Sequence, residues 1–480
     1  MGPHRSLAVG SSALGSLREN VLRRVPRRER NPRMEPTKNA LESREPHLGL
    51  GKAERPTRLL TLALIALVVG VAAGGSGAAL RLALEHADRL RDALIAWAHG
   101  EALAGFLIVL ITCAAATMIA AWLVRRFSPQ AAGSGIPHVE AVLREELPPA
   151  PYGLSAVKFI GGILAIGAGL ALGREGPSVQ IGASCGMFAG RLFRRTWPDC
   201  RVLLAAGAGA GLAAAFNAPI AGAVFVLEEL VKRFEHRVAI AALAASATGI
   251  ALARALLGDT SDFHVGLLHF ATATAQPLYF VLGCMSGMLA VAYNRTLLAT
   301  ITAAERVDKL PVHLRAGLIG AVVGVLAWFA PALVGGGDAI TQRTLLGAGT
   351  LTFVPLAFLL RFGLGAISYA AATPGGLFAP LLVLGAQSGL LFGAACRLSF
   401  PNLNLQPEGF AVVGMAAMFT GVVRAPVTGI ILVAEITDSV TMLLPMLGAC
   451  FTAMLVPTLM RDEPIYEALR KHLLRGNRVR

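Results

Sequence analysis

Charged residues are scarce in this sequence. Only 15% of the 480 residues are Asp, Glu, Lys or Arg, and 55% are hydrophobic, whereas a water-soluble protein carries about 25% charged residues. Apolar runs recur from residue 59 to residue 459 without a long soluble insert, which excludes a globular protein on a single membrane anchor. The composition therefore predicts an all-α polytopic membrane protein.

Cysteines at metal-binding or redox spacing are lacking. The six cysteines form no CxxC pair, and most of them lie in apolar surroundings. They are interpreted as small buried hydrophobic residues rather than as disulfides or metal ligands. No metal, cofactor or catalytic residue is predicted, and the chain is not expected to be an enzyme.

The positive charge is concentrated at the start of the chain. Residues 1–58 hold thirteen Lys or Arg and six Asp or Glu, a net +7 out of a total of +14. Residues 1–57 lack an apolar run of membrane length and are predicted to be a disordered basic tail. No aromatic residue is interleaved among the charges at 23–30, so the tail is expected near anionic lipid rather than on nucleic acid. Met34 offers an alternative start that would remove most of this tail.

The most informative stretch is Gly-Arg-Glu-Gly-Pro at residues 173–177, which places Glu175 inside an apolar sequence. An ionised group in a membrane segment costs roughly 2.5–3.5 kcal/mol on insertion scales and is a functional-site candidate. Gly176 permits unusual backbone angles, and Pro177 suits the first turn of a helix. A helix that starts here would aim the backbone N–H groups around Arg174 and Gly176 at the acid, which makes an anion site.

Gly-Ser-Gly-Ile-Pro at residues 133–137 has the same form. It predicts a helix N-terminus with the Ser134 hydroxyl as an extra donor beside the backbone of Gly133, Gly135 and Ile136. Ordinary N-capping explains the local pattern equally well, and the residues alone leave both interpretations open.

An acid pair, Glu228 and Glu229, ends another apolar segment just before Lys232 and Arg233. It is interpreted either as a solvated helix end or as a second buried proton site. The basic neighbours favour the solvated end on local grounds.

The longer apolar runs predict membrane spans, followed by a short C-terminal segment, residues 461–480, that carries Tyr466. The clearest spans are expected at residues 59–84, 102–124, 202–216, 410–423 and 427–456.

The chain contains an internal repeat. Seven identical residues superpose when residues 207–228 are shifted by 207 positions onto residues 414–435: Gly207, Ala210, Ala218, Pro219, Gly222, Val226 and Glu228. The shared core, Ala-Pro-x-x-Gly-x-x-x-Val-x-Glu, is too ordered to arise from composition alone. Nearly the same shift carries glycines of the motifs at residues 133–137 and 173–177 onto glycines of the second half.

The repeat predicts two membrane halves, residues 58–255 and 275–460. Broken segments at matching places in two repeats are typical of a transporter site near the middle of the bilayer. An inverted arrangement of the halves is favoured because transporters of this type commonly have it.

At these residues the chain resembles the CLC family of chloride channels and chloride/proton exchangers. The resemblance covers residues 58–472 and rests on four motifs in order: residues 133–137, residues 173–177, Gly-Gly-Leu-Phe-Ala-Pro at 375–380, and Tyr466. It implies the CLC fold of inverted repeats, in the prokaryotic form without a nucleotide-sensing domain pair. It also implies a homodimer in the plasma membrane.

The resemblance assigns a role to each matching residue. Ser134 Oγ and Tyr466 Oη would donate to a dehydrated chloride, and the backbone N–H groups of Leu377 and Phe378 would complete its shell. Glu175 would be the external gate, which occupies an anion site when ionised and leaves it when protonated.

The resemblance also changes the interpretation of the acid pair. Glu229 aligns with the internal proton-transfer glutamate of the exchangers, and its neighbour Glu228 joins it as a candidate. Ser134 matches the chloride-selective members, whereas nitrate-preferring members carry proline there and fluoride exporters carry methionine. The expected function is chloride/proton antiport.

Two alternatives stay open at this point. The first is a passive chloride channel of the same fold, in which Glu175 gates without proton coupling. The second is an intramembrane hydrolase, because Gly74-Gly75-Ser76-Gly77 matches the GxSG pattern of serine proteases. This match is weak in a glycine-rich chain, and neither Ser76 nor Ser134 has an evident base.

Overall fold

The computed structural model describes residues 56–478, apart from residues 260, 270–271, 308–309 and 348–350. The predicted basic tail lies outside the described residues except for its last two positions, 56 and 57, which begin the first helix. Within the described ranges the chain forms helices joined by turns and loops, and no strand is present.

Eight α-helices make up the first half of the described chain. In order they are α1 (Pro56–Ala98), α2 (Ala102–Phe127), α3 (Ile136–Leu143), α4 (Leu154–Gly167), α5 (Glu175–Leu192), α6 (Trp197–Phe216), α7 (Pro219–Phe225) and α8 (His236–Leu257). Helix α7 continues into a π-helical turn, Val226–Leu230, which contains the acid pair.

Eight further α-helices repeat this order in the second half. They are α9 (Gln276–Glu305), α10 (Val312–Phe329), α11 (Asp338–Leu345), α12 (Val354–Ala370), α13 (Phe378–Ser399), α14 (Pro407–Val423), α15 (Pro426–Thr437) and α16 (Leu443–Leu459). The third helix of each half has eight residues. A final helix, α17 (Ile465–Arg478), follows the second repeat.

One predicted span is wrong. Residues 427–456 were expected to form a single helix, but they divide between α15 and α16. Helix α15 ends because Asp438 adopts a left-handed conformation, with φ of 49°, which a short polar side chain tolerates. The other four spans predicted from apolar runs lie within helices α1, α2, α6 and α14.

The two halves are inverted structural repeats. Helix α5 packs on α6 as α13 packs on α14, and α7 packs directly on its equivalent, α15. Near the centre, the equivalent residues Gly173 and Gly376 form an antiparallel bridge and exchange both backbone hydrogen bonds. Reciprocal hydrogen bonds between two equivalent residues indicate an approximate two-fold axis that passes between them. Such an axis reverses the chain direction of one half relative to the other.

Glycine contacts bring the paired helices close together in both halves. A Cβ atom on Gly182 or on Gly207 would collide with the carbonyl of the other residue, so α5 and α6 touch through their backbones. Gly385 and Gly414 make the same mutual contact between α13 and α14. Small residues that allow backbones to approach drive helix association in lipid.

Large apolar side chains remain exposed on the outer helices. Leu64 on α1 is 54% exposed, and Leu318 on α10 is 59% exposed. Seven helical segments in the described part of the chain are long and apolar enough to cross a bilayer. The chain is therefore a multi-pass membrane protein whose outer surface contacts lipid.

The substitution Gly414→Val should separate α13 from α14, because its side chain would meet the Gly385 carbonyl. Overpacking of this kind costs about 1–3 kcal/mol, and we expect a lower midpoint for thermal loss of the monodisperse protein in detergent. Gly363→Val is the matched control because a Cβ atom at Gly363 meets nothing within 4 Å. Equal midpoints for the two variants would contradict this packing.

Candidate functional site

The three loops that interrupt the apolar sequence meet between the two halves. The N–H of Gly133 donates to the carbonyl of Thr373 at 3.0 Å, and the N–H of Gly375 donates to the carbonyl of Gly133 at 3.1 Å. The reciprocal bonds of Gly173 and Gly376 measure 2.9 and 2.7 Å. The structure therefore brings together the N-termini of α3, α5 and α13, where free N–H groups favour an anion.

Two glycines are required where the N-termini of α3, α5 and α13 meet, a place called the junction below. Gly135 precedes α3 with φ of 82°, a left-handed conformation that glycine adopts without strain. Gly176 lies against the backbone of Ser134, and a Cβ atom there would collide with it. Both positions hold the N-termini of α3 and α5 close to each other.

Glu175 is the first residue of α5 and is only 1% exposed. Its carboxylate faces the backbone N–H groups of Glu175 itself and of Ala379, in the first turn of α13. Carboxylate atom Oε2 is buried and makes no hydrogen bond to any described residue. The acid thus lies in the N-terminal field of two helices, where an anion is stabilised.

The side chain of Arg174 binds several acceptors beside this junction. Its guanidinium donates to the Ala215 carbonyl at 2.9 Å, to Asp262 at 2.8 Å and to Asp338 at 3.1 Å. Asp262 also pairs with Arg81 at 2.8 Å. The charge of Arg174 is thus shared between carboxylates from distant segments and the neighbouring Glu175 carboxylate.

Ser134 and Tyr466 are both fully buried. The N–H of Ile136 donates to Ser134 Oγ at 3.5 Å, and the N–H of Ser134 donates to the Tyr369 hydroxyl at 3.2 Å. The Tyr466 hydroxyl makes no hydrogen bond within the described ranges, and its polar neighbours include Tyr369 and Ser134. A buried hydroxyl without a partner is a donor available to a ligand.

Phe378 begins α13 beneath the same junction, and Leu377 is the residue that caps this helix. The Phe378 ring lies 6.0 Å from the Tyr466 ring and 4.7 Å from the Phe419 ring, centroid to centroid. These aromatic contacts fix the first turn of α13, so its N–H groups point at a set position.

Buried cations support the loops before α3 and α11. Lys158 on α4 donates to the carbonyls of Ala131 and Gly133, at 3.1 and 2.7 Å. Arg361 on α12 donates in the same way to carbonyls of the loop before α11, including Gly335 at 2.7 Å. The offset that carries Gly173 onto Gly376 also carries Lys158 onto Arg361.

Glu228 caps a helix of the opposite repeat. Its carboxylate accepts hydrogen bonds from the N–H groups of Val427 and Thr428, at 3.0 and 2.6 Å, at the start of α15. The equivalent acid, Glu435, accepts from Ile220 and Ala221 at the start of α7. The repeat thus places each acid on the N-terminus of the other half, where a carboxylate satisfies free N–H groups.

Glu229 has a different environment from Glu228. It is 3% exposed, and its Oε1 atom is buried without a hydrogen bond to any described residue. The nearest cation is Lys232, whose Nζ atom is 3.9 Å from that oxygen. A buried carboxyl group with a weakly bound partner can take up and release a proton.

A cavity of about 540 Å³ reaches the loop that carries Ser134. Gly133, Gly135 and Tyr369 line its inner end, and Arg125 and Arg315 line it together with residues of α9 and α17. The cavity thus places two arginines near the loop that carries Ser134, and their positive charge attracts anions.

The residues that sequence reasoning missed come from distant segments. Asp262, Tyr369 and Asp338 carry no local motif, and nothing in the sequence pairs them with the loops. Arg361 had a signal, because the repeat places it opposite Lys158.

The hydrolase interpretation finds no support at Ser76. Its hydroxyl donates to the carbonyl of Ala73 in the same helix, at 2.9 Å. This bond is ordinary for a serine within a membrane helix, and the GxSG match is explained by close packing of α1.

Comparison with known proteins matches residues 116–458 to the family described as voltage gated chloride channel. The H(+)/Cl(-) exchange transporter ClcA of Cronobacter sakazakii is 37% identical over 419 residues, which cover 85% of this chain and 89% of that protein. ClcA of Vibrio parahaemolyticus is 35% identical over 425 residues, covering 87% and 91%. The crystal structure of a slow cyanobacterial Cl-/H+ antiporter gives a TM-score of 0.83 at 30% identity, covering 88% and 99%.

Replacing Lys158 with Met should destabilise the junction, because the carbonyls of Ala131 and Gly133 would lose their buried donor. Each unsatisfied group costs roughly 1–3 kcal/mol. Arg361→Met should lower the thermal midpoint in detergent to a similar extent, since it performs the same task in the other repeat. Midpoints for both variants equal to that of the unmodified protein would show that these cations do not support the loops.

Proposed function

The chain belongs to the voltage-gated chloride channel family, and from this premise we propose that it is a chloride/proton antiporter. It moves chloride across the membrane in exchange for protons. The observation that carries the proposal is the presence of two buried carboxylates, Glu175 and Glu229, each with an oxygen that makes no hydrogen bond to a described residue. One carboxylate lies at the helix junction, and the other lies near Lys232.

Chloride binds where the helix N-termini meet. Ser134 Oγ and Tyr466 Oη donate to the ion, and the backbone N–H groups of Leu377 and Phe378 complete its shell. A chloride without water is too costly in an apolar interior unless fixed dipoles replace its hydration. Helix N-termini supply about half a positive charge each, which holds the ion without trapping it.

Backbone N–H groups line the anion sites. They belong to the chain around Gly133, Gly135, Ile136, Arg174 and Gly176. Asp262 and Asp338 bind the Arg174 guanidinium and so offset part of its charge beside the site. These backbone N–H groups can bind either chloride or the Glu175 carboxylate.

Glu175 acts as the external gate. When it is ionised, its carboxylate occupies the field of α5 and α13 and excludes chloride by like-charge repulsion. When it is protonated, it loses its attraction for the N–H groups, leaves the site, and chloride enters. The two equilibria are coupled because one set of donors serves both anions.

Glu229 exchanges protons with the inner side. Glu228 was predicted beside it as a second proton residue, but its carboxylate binds three donors at the start of α15. We therefore assign the proton role to Glu229 and a capping role to Glu228.

A homodimer is the form that suits the short helices α7 and α15. Helix α7 has seven residues and reaches only about 10 Å, well short of the roughly 30 Å of a bilayer core. Its residue Ile220 is 54% exposed, and Val427 on α15 is 50% exposed. A second copy covering this face would keep the ends of the short helices from facing lipid. We place the dimer in the plasma membrane.

The direct test uses purified protein in chloride-loaded liposomes diluted into low chloride, with the voltage clamped by potassium and valinomycin. We expect chloride efflux to drive proton uptake against the proton gradient. Chloride efflux without proton movement would make the protein a passive channel and overturn the proposal.

Two adjacent acids provide a matched pair of variants in the same assay. Glu229→Gln should abolish proton movement and leave chloride flux, because it removes the inner proton acceptor. Glu228→Gln should keep the coupling and lower the thermal midpoint, since a neutral amide loses the favourable interaction of a carboxylate with the N-terminus of α15. Unchanged coupling in Glu229→Gln would refute the role of this residue.

A further inference from the structure

One arginine of α17 joins this helix to the segment that follows the far end of α3, so it links the two elements next to Tyr466 and Ser134. Arg470 lies one turn after Tyr466 on α17, and its Nη1 atom donates to both carboxylate oxygens of Glu146, with 2.6 Å to Oε1. Glu146 follows α3, the helix that begins after Ser134. The Arg470 side chain is only 6% exposed, so solvent screens these contacts weakly.

A second carboxylate on α3 lies next to the same arginine. Glu140 Oε2 is 3.7 Å from Arg470 Nε, and Glu140 Oε1 is 2.8 Å from Arg144 and 3.3 Å from Lys232. Lys232 in turn approaches Glu229 at 3.9 Å. The charges around Arg470 thus extend from the proposed proton residue to the helix that carries Tyr466.

The guanidinium keeps its charge in this setting. Burial alone would lower the pKa of Arg470, but the hydrogen bond to Glu146 and the charges of Glu140, Glu146 and Glu467 outweigh burial and raise the pKa. Arg470 therefore keeps the positive charge that its contact with Glu146 requires.

Other polar contacts also fix α3, whereas Arg470 is the most buried polar contact of α17. Arg201 on α6 donates to the Leu143 carbonyl and pairs with Glu145 at 2.7 Å, which anchors the end of α3. Helix α17 is bound by Arg470 and by outer pairs such as His472 with Glu305, whose side chains are 41% and 55% exposed. Exposed pairs contribute little, so Arg470 is the main polar anchor of α17.

We propose that Arg470 is a positioning residue that fixes Tyr466 relative to Ser134 by holding α17 on α3. The proposal rests on the antiport function assigned above. A helix of eight residues such as α3 is about 12 Å long, so a shift at its far end reaches the hydroxyl pair. Without the anchor, the spacing between the Ser134 and Tyr466 hydroxyls changes, and chloride crosses without its full complement of protons.

The test compares Arg470→Met with Lys471→Met. Lys471 is the next residue on α17, but it is 41% exposed and pairs with Glu463 and Glu467, near the start of its own helix. Each protein is assayed for the ratio of chloride to protons moved in liposomes, and for chloride affinity by titration calorimetry in detergent.

We expect Arg470→Met to raise the chloride-to-proton ratio and to weaken chloride binding by about tenfold, while Lys471→Met behaves as the unmodified protein. Arg470→Lys should restore function only in part, because one ammonium group can replace Nη1 at Glu146 but not also Nε beside Glu140 and Nη2 beside Glu467. A purely structural role would lower the thermal midpoint without changing the ratio in the protein that remains folded.

An unchanged ratio and affinity in folded Arg470→Met would overturn the inference. If that variant does not fold, Glu146→Gln removes the bidentate partner and leaves Glu140 in place, and the same two measurements decide. The absence of proton transport in the unmodified protein would instead refute the antiport function. The two failures are thus distinguishable.

Discussion

An anion can lie inside this protein only because backbone N–H groups replace its water. Three buried cations near these helix starts are bound by other groups: Lys158 and Arg361 donate to loop carbonyls, and Arg174 binds carboxylates. The field comes from helices that start within the membrane, and they start there because glycine and proline interrupt the apolar sequence. Every other feature of the fold serves to bring these helix starts together and to keep them apart from water.

The repeat separates structural from functional residues. Residues with a structural role keep their chemical type in both halves: the cation Lys158 matches the cation Arg361, and the acid Glu228 matches the acid Glu435. The residues assigned to transport break the repeat, because Glu175 aligns with Phe378, Ser134 with Gly336, and Glu229 with Ile436. Two inverted halves alone would build a symmetric junction. In the proposed mechanism, these exceptions provide one gate, one hydroxyl donor from a loop and one inner proton residue.

Much of this could be predicted from the sequence, since the repeat and the Gly/Pro interruptions are local patterns. The motifs at residues 133–137 and 173–177 located the helix starts. The division of residues 427–456 was missed because Asp438 ends a helix by its backbone conformation rather than by a strong breaker residue. Contacts such as Arg470 with Glu146 were beyond reach, because the partners are separated by 324 positions and no local pattern relates them. The fold distinguishes the environments of the acid pair, because Glu228 caps α15 and Glu229 lies apart from that helix start; the proton role of Glu229 stays a proposal.

The central claim is that chloride and the Glu175 carboxylate compete for the same N–H groups at the start of α5 and α13. Crystals of the unmodified protein and of Glu175→Gln, grown in bromide, would test it by anomalous scattering. If chloride and the carboxylate compete, we expect an additional bromide in the variant, at the position that the Glu175 carboxylate occupies in the unmodified protein. Bromide between Ser134 and Tyr466 in both crystals, with none at the position of residue 175 in the variant, would contradict it.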